Sequence, residues 1–290
     1  MQIVLNIFNQ ATILVLFSLS FYVIFKPTRI FHIAHAFTIS LGAYMVYGFY
    51  HLLASPLPLS IALGLISTIL YGVANELLVY KHFIGSKERN LKMLILSLGV
   101  YIVSQNIISI LFGDDIKSLA KGDVTVGHEA LGAYVTDTQL VTMGGVVVVL
   151  GVTLYVWYKT KFGLAVRAIS DNPELSQVFG IPKDRIILYA FALGSLYAGI
   201  GGILVGFDTG ITPSFGFNLL LYAIVVMIIG GVESIWGIVG GALILSAVQN
   251  LTAYYIDTKW MDAITYAILI VFLVARPYGV SGIKNKKVEV

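Results

Sequence analysis

The 290 residues contain no cysteine, which excludes disulfides, thiolate catalysis and Cys-based metal or iron-sulfur sites. Charge is also scarce: only 11% of residues are Asp, Glu, Lys or Arg, where a soluble domain carries about 25%. The sequence lacks Gly-x-Ser-x-Gly, His-Glu-x-x-His and the Walker A lysine motif, so no hydrolase, zinc peptidase or nucleotide-hydrolysing site can be read from it. No metal-ligand set and no cofactor motif is present.

What is abundant is apolar. Hydrophobic residues make up 58% of the chain, and mean hydropathy is +0.90. These residues run unbroken instead of recurring at the 3.6-residue period of a water-facing helix. The implied fold class is all-α, a polytopic transmembrane helical bundle. The net charge of +3 does not point to nucleic acid, because the basic residues segregate by membrane side and form no groove.

A hydrocarbon core about 30 Å thick needs about 20 apolar residues per helix. Nine spans follow: Ile3 to Phe25, Ile33 to Leu53, Leu59 to Tyr80, Leu94 to Phe112, Leu140 to Tyr158, Ile186 to Phe207, Phe217 to Ile229, Trp236 to Leu251 and Ala263 to Ala275. The last three are short enough to be tilted, re-entrant or discontinuous, so eight to ten spans fit. The first is too long for a secretory signal and is followed by Lys26 and Arg29, so a membrane anchor is expected.

Short cytoplasmic loops retain positive charge. With the N-terminus outside and the C-terminus inside, fifteen of the 18 basic residues lie inside: Lys26, Arg29, Lys81, Lys87, Arg89, Lys92, Lys159, Lys161, Arg167, Lys183, Arg185, Arg276, Lys284, Lys286 and Lys287. Outside are Lys117, Lys121 and Lys259, with Asp114, Asp115, Asp123, Glu129, Asp137, Asp208, Asp257 and Asp262. Residues 1–290 form one membrane domain, with an outer acidic loop at 113–138 and an inner basic loop at 159–185. Neither loop is large enough for a nucleotide-binding or catalytic domain, so energy is expected from another chain or an ion gradient. No repeat between halves is evident.

The inner loop carries helix punctuation. Asn172 is placed to cap a helix beginning at Pro173, Glu174 complements its N-terminal dipole, and Gly180 suits a left-handed C-terminal position. A helix over Pro173 to Phe179 would bring Leu175, Val178 and Phe179 to one side. That apolar face suits docking of a partner or, alternatively, rest on lipid headgroups.

The pattern of Gly163, Arg167-Ala168, Asn172 and Gly180-Ile181 resembles the coupling loop of branched-chain amino acid ABC permeases. Upstream, His32-Ile33-Ala34-His35-Ala36, followed by Gly42-Ala43-Tyr44, resembles the family's Asn-Phe-Ala-His-Gly stretch and its continuation. Downstream, Ala198-Gly199-Ile200-Gly201-Gly202, Pro213 to Gly216, and Gly230-Gly231 through Gly237 to Gly240-Gly241 resemble the small-residue cluster, turn and Gly-rich segment. Departures are His32 for Asn, Ala36 for Gly, Glu233 for a small residue, and Tyr222 near a usual lysine. They bear on the solute more than on the class, which spans amino acids, urea and short amides.

The resemblance implies two cytoplasmic ABC ATPase subunits that use the ATP, a second related permease subunit or second copy of this chain, and an extracytoplasmic solute-binding protein. Alternating access would open a cavity between permeases to one side at a time. Coupling would run through Arg167, Asn172, Pro173, Glu174, Leu175, Val178 and Phe179, with Gly163 and Gly180 as hinges. The pathway candidates are His32, His35, Gly42, Gly199, Gly202, Gly230, Gly231 and Glu233.

Physical readings stand beside these. His32 and His35, three apart, are expected on one helix face, lining a pore or bonded to nearby carbonyls. Glu76 is expected to snorkel or pair with Lys81. Glu233 would reach the cytoplasm or line a cavity. Gly202 with Gly206, and Gly237 with Gly241, have the four-residue spacing of close helix packing in lipid. An ion-coupled secondary transporter fits composition equally well but needs ionisable residues inside the spans.

Overall fold

The structure, a computed structural model, describes residues 1–81, 89–120, 127–130, 132–276 and 278–281. Lys87, Lys121, Asp123, Lys284, Lys286, Lys287 and the side chain of Arg89 lie outside the described residues. The helices are α1 (Gln2–Thr28), α2 (His35–Tyr47), α3 (Leu57–Ala74), α4 (Arg89–Phe112), α5 (Asp137–Lys159), α6 (Lys161–Asp171), α7 (Pro173–Val178), α8 (Lys183–Thr209), α9 (Phe215–Gly230), α10 (Ile235–Tyr255) and α11 (Met261–Ala275). Among the described residues, 7 helices are long and apolar enough to cross a membrane. This is the all-α polytopic bundle expected; α2, with 13 residues, and α9, with 16, are shorter apolar helices inside it.

Two expectations about lengths are corrected. α10 is 21 residues, longer than its apolar run, because Thr252, Tyr254 and Tyr255 continue the helix where tyrosine tolerates a membrane interface. The second helix begins at His35, not Ile33. The preceding turn is held open by polar bonds, Ile33 N donating to Ser97 Oγ at 3.1 Å and the Tyr80 hydroxyl meeting His32 Nδ1 at 2.6 Å. Non-helical backbone at this depth survives because protein groups satisfy it. Both α2 and α3 finish in π-helical turns, Gly48–Leu52 and Asn75–Tyr80.

α1 occupies the centre: 72% of its apolar stretch is buried, against 6% for α11 at the periphery. A helix apolar on every side has no face to offer water and is surrounded by others, here α5, α8, α9 and α10. Small residues bring the helices together where dispersion must replace the hydrophobic effect. A Cβ on Gly42 of α2 would lie 2.9 Å from Gly199 Cα on α8, and one on Gly202 would overlap the Ile39 carbonyl. Gly230 and Gly237 make the same close approach across the turn joining α9 to α10.

The helix order gathers Lys26, Arg29, Lys81, Lys92, Lys159, Lys161, Arg167, Lys183, Arg185 and Arg276 at one end of the bundle. The opposite end carries Lys117 and Lys259 with most of the acidic residues. There a short hairpin pairs His128–Ala130 with Ala133–Val135, and Lys117 bridges to Ile211. Nothing in the sequence reading anticipated these strands, which are too short to show alternation. At the basic end the chain after α11 returns to α9, with Val280 N donating to Ile229 O at 2.8 Å and Ser281 N to Gly230 O at 3.2 Å.

Candidate coupling surface

The surface is built from the end of α5 onward. Thr160 leaves helical geometry with φ −110° and ψ 158°, and its hydroxyl accepts from Gly163 N at 3.3 Å, capping α6. A Cβ on Gly163 would collide with the Trp157 and Val156 carbonyls. Glycine is therefore required for the tight α5–α6 corner. α6 itself was not expected, although Val166 and Ile169, three apart and fully buried, were its signal in the sequence.

Asn172 closes α6 through N–H to Ala168 O at 3.0 Å and opens α7. Its Oδ1 accepts from Glu174 N at 3.1 Å and Leu175 N at 2.9 Å, satisfying two orphan amides of the first turn. Pro173 occupies the first helical position, where its missing N–H costs nothing. The helix ends with Gly180 at φ +79° and Ile181 N donating to Ser176 O at 3.1 Å, a Schellman closure. Helix and caps thus form as the punctuation predicts.

Ser176 is the buried side chain of α7, while Leu175, Val178 and Phe179 are 51%, 81% and 76% exposed. Among the described residues, these apolar groups form an uncovered face at the basic end. The Arg167 guanidinium lies over the Tyr158 ring, 5.6 Å from its centroid, within cation–π range.

The residues suggested for a pathway lie in several different settings. Gly42, Gly199, Gly202 and Gly230 sit in helix crossings, backed by neighbouring backbone or Thr68. Gly231, at φ +98°, makes the α9–α10 turn and carries the returning chain at Gly279. His32 lies in the turn before α2 and only His35 lies on the helix, so the two do not share a helix face. Their rings are 5.7 Å apart and buried. His35 Nε2 meets Ser20 Oγ at 3.1 Å, so Tyr80 and Ser20 hydroxyls, not carbonyls, are the described partners. Glu76 is buried too, in place of snorkelling outward.

Glu233 is exposed at the basic end, its side chain 44% accessible, and it is paired there. Its Oε2 pairs with Lys26 Nζ and its Oε1 accepts from Arg29 Nη2 at 2.9 Å. Burial pushes the carboxyl pKa upward, but hydrogen bonds from Lys26 and Arg29 and their positive charge outweigh this and hold it below its ordinary value. Arg29 Nη2 also donates to Ser170 Oγ at 2.9 Å. Lys26 and Arg29 as partners of Glu233, and Ser170 as a second partner of Arg29, leave no local pattern in the sequence, because the contacts to Glu233 span more than 200 residues and the one to Ser170 spans 141. Tyr222, near the usual lysine position, donates to Asp262 at the acidic end.

Known proteins place the chain. A family model described as the permease component of branched-chain amino acid transport systems matches residues 3–273. The high-affinity branched-chain amino acid transport system permease protein LivH of Escherichia coli (strain K12) is 32% identical over 234 residues, 77% of this chain and 75% of LivH. BraD of Pseudomonas aeruginosa, a permease protein of the same description, is 25% identical over 283 residues, 92% of this chain and 91% of BraD. The galactose/methyl galactoside import permease protein MglC of Escherichia coli (strain K12) is 30% identical over 167 residues, 55% of this chain and 47% of MglC. A solved structure of PsaBC from Streptococcus pneumoniae in complex with Fab shares the fold at TM-score 0.53 and 11% identity, covering 94% of this chain and 91% of that one. On the match across residues 3–273, this multi-pass membrane protein belongs to the family of branched-chain amino acid transport system permease components.

Proposed function

We propose that this chain is one permease subunit of an importer for branched-chain or related amino acids, powered by ATP that two separate ABC ATPase subunits hydrolyse. It pairs with a second, related permease or a second copy of itself and receives solute from an extracytoplasmic binding protein. Its basic end faces the cytoplasm, leaving the N-terminus outside. The observation that carries the reading is α7: a helix capped at both ends, whose exposed face is Leu175, Val178 and Phe179.

A short rigid helix with an apolar face fits a groove on a partner. When ATP binding closes the ATPase pair, displacement of α7 passes through α6, which is anchored under α5 by Thr160 and Gly163. The permease pair then alternates between outward and inward openings. Between openings the solute is closed off from bulk water on both sides; ligand binding shifts the population of the two states, and ATP hydrolysis makes the cycle run one way.

The test is reconstitution with candidate ATPase subunits and a solute-binding protein from the same organism, measuring leucine uptake and leucine-stimulated, vanadate-sensitive hydrolysis. Phe179→Asp places a charge in the docking face and is expected to abolish ATPase copurification and uptake. Uptake driven instead by a proton or sodium gradient, without ATP, would replace this reading with the ion-coupled one; stimulation by urea or acetamide alone would keep the class and change the solute.

A further inference from the structure

One guanidinium ties together three distant segments. Arg29 Nη2 donates at 2.9 Å both to Ser170 Oγ and to Glu233 Oε1; this nitrogen carries two hydrogens, so it makes both bonds at once. Ser170 lies near the end of α6, two residues before the Asn172 cap of α7. Glu233 lies in the turn between α9 and α10.

The far side of the contact is held by further bonds and close packing. Arg29 ends α1 in the left-handed region at φ 56°, with its own N–H bonded to Phe25 O at 2.7 Å. A side chain in that conformation costs about 1 kcal/mol or more, so it persists because the surrounding bonds hold it. Glu233 is fixed from its other oxygen by Lys26, whose side chain is only 5% exposed. Around Glu233, Gly230 packs on Gly237, and Val280 and Ser281 bond back onto Ile229 and Gly230. The end of α9, the start of α10 and the returning chain therefore form one packed body.

We propose that Ser170, Arg29 and Glu233 are positioning residues that form a relay carrying displacement of α6 and α7 to the α9–α10 turn. The relay rests on the importer reading. It gives Glu233 a role in transmission, apart from the solute. Along the described contacts, α7 touches the bundle through α6 and α8. The Ser170 hydroxyl reaches the α9–α10 body through direct hydrogen bonds by way of Arg29. Coupling of this kind needs a contiguous set of stiff contacts, and the charged bonds to Arg29 are stronger than neutral ones.

Glu233→Gln would strip the buried Lys26 of its counterion and perturb folding, so Ser170 is the place to test the idea. The complete complex, with its ATPases and binding protein in vesicles, is assayed for leucine taken up per ATP hydrolysed, for ATPase copurification and for melting temperature. Ser170→Ala is expected to lower the uptake ratio about three-fold or more, with copurification and melting temperature unchanged. Ser170→Thr, which keeps the hydroxyl, is expected to retain the ratio.

Arg29→Gln should lower the ratio as well, and Ser170→Ala added to it should change nothing further, since the hydroxyl has already lost its partner. A wild-type ratio in Ser170→Ala, equal impairment in Ser170→Thr, or effects that multiply in the double variant overturns the relay while leaving the importer intact. Absence of leucine-dependent hydrolysis in the wild-type complex overturns the leucine-importer reading and the relay with it.

Discussion

Gly42 of α2 and Gly199 of α8 touch backbone to backbone: a Cβ on Gly42 would come 2.9 Å from Gly199 Cα, and one on Gly199 would come 2.6 Å from Thr68 Oγ1. The crossing therefore admits glycine and nothing larger. In a lipid environment this proximity supplies the dispersion contact that water would otherwise enforce.

Gly199→Val is expected to push α2, α3 and α8 apart and cost about 1–3 kcal/mol by overpacking. Thermal unfolding of the protein in detergent should show the loss. Gly99→Ala is the contrasting case, because a Cβ added there would have nothing within 4 Å; helix propensity should make it neutral or more stable by up to about 1 kcal/mol. A Gly199→Val protein that melts like wild type would rule out the close crossing.

The Asn172 cap acts locally, on the first turn of α7. Asn172→Ala removes the acceptor for Glu174 N and Leu175 N and should cost about 1 kcal/mol of local helix stability. Amide hydrogen exchange at residues 174 and 175 should speed up about five-fold, while Asn172→Asp, which keeps the acceptor, should preserve protection.

Glu233 makes stability depend on pH. Its folded pKa lies below the ordinary 4.5, so the ion pairs contribute fully above that value. They are lost as pH falls through the lower folded value. Melting temperature measured downward from pH 5 should decline, and Glu233→Gln should flatten that part of the curve. At neutral pH the same variant should melt lower, because Lys26 keeps a buried charge without its counterion.

A buried amide network links α1, α10 and α11 toward the acidic end. Gln10 Nε2 donates to Gln249 Oε1 at 2.5 Å, and Gln249 Nε2 donates to Thr265 Oγ1 at 2.9 Å. A double-mutant cycle with Gln10→Ala and Gln249→Ala should return a coupling of about 1 kcal/mol. Strict additivity would mean that the two side chains do not share a bond.

Much of this molecule is legible in one dimension because lipid simplifies the problem. Unbroken apolar runs must be helices, since no other open segment satisfies its backbone in hydrocarbon, and lysine and arginine positions foretell which loops share one end of the bundle. Local chemistry is equally readable where it acts within a few residues. Asn172, Pro173 and Gly180 define α7 from the printed sequence alone, as their hydrogen bonds reach no farther than one helical turn.

Tertiary structure decided what depends on distance. Whether His32 belongs to α2 turned on Tyr80 and Ser97, each more than forty residues away. Glu233 reads from the sequence as a lone carboxylate beside two glycines. It becomes one end of a relay because α1 passes through the centre of the bundle and brings Lys26 and Arg29 to it. Composition determines that the chain crosses a membrane many times. Which polar groups meet inside it is set by helix packing, whose contacts join residues that no local period connects.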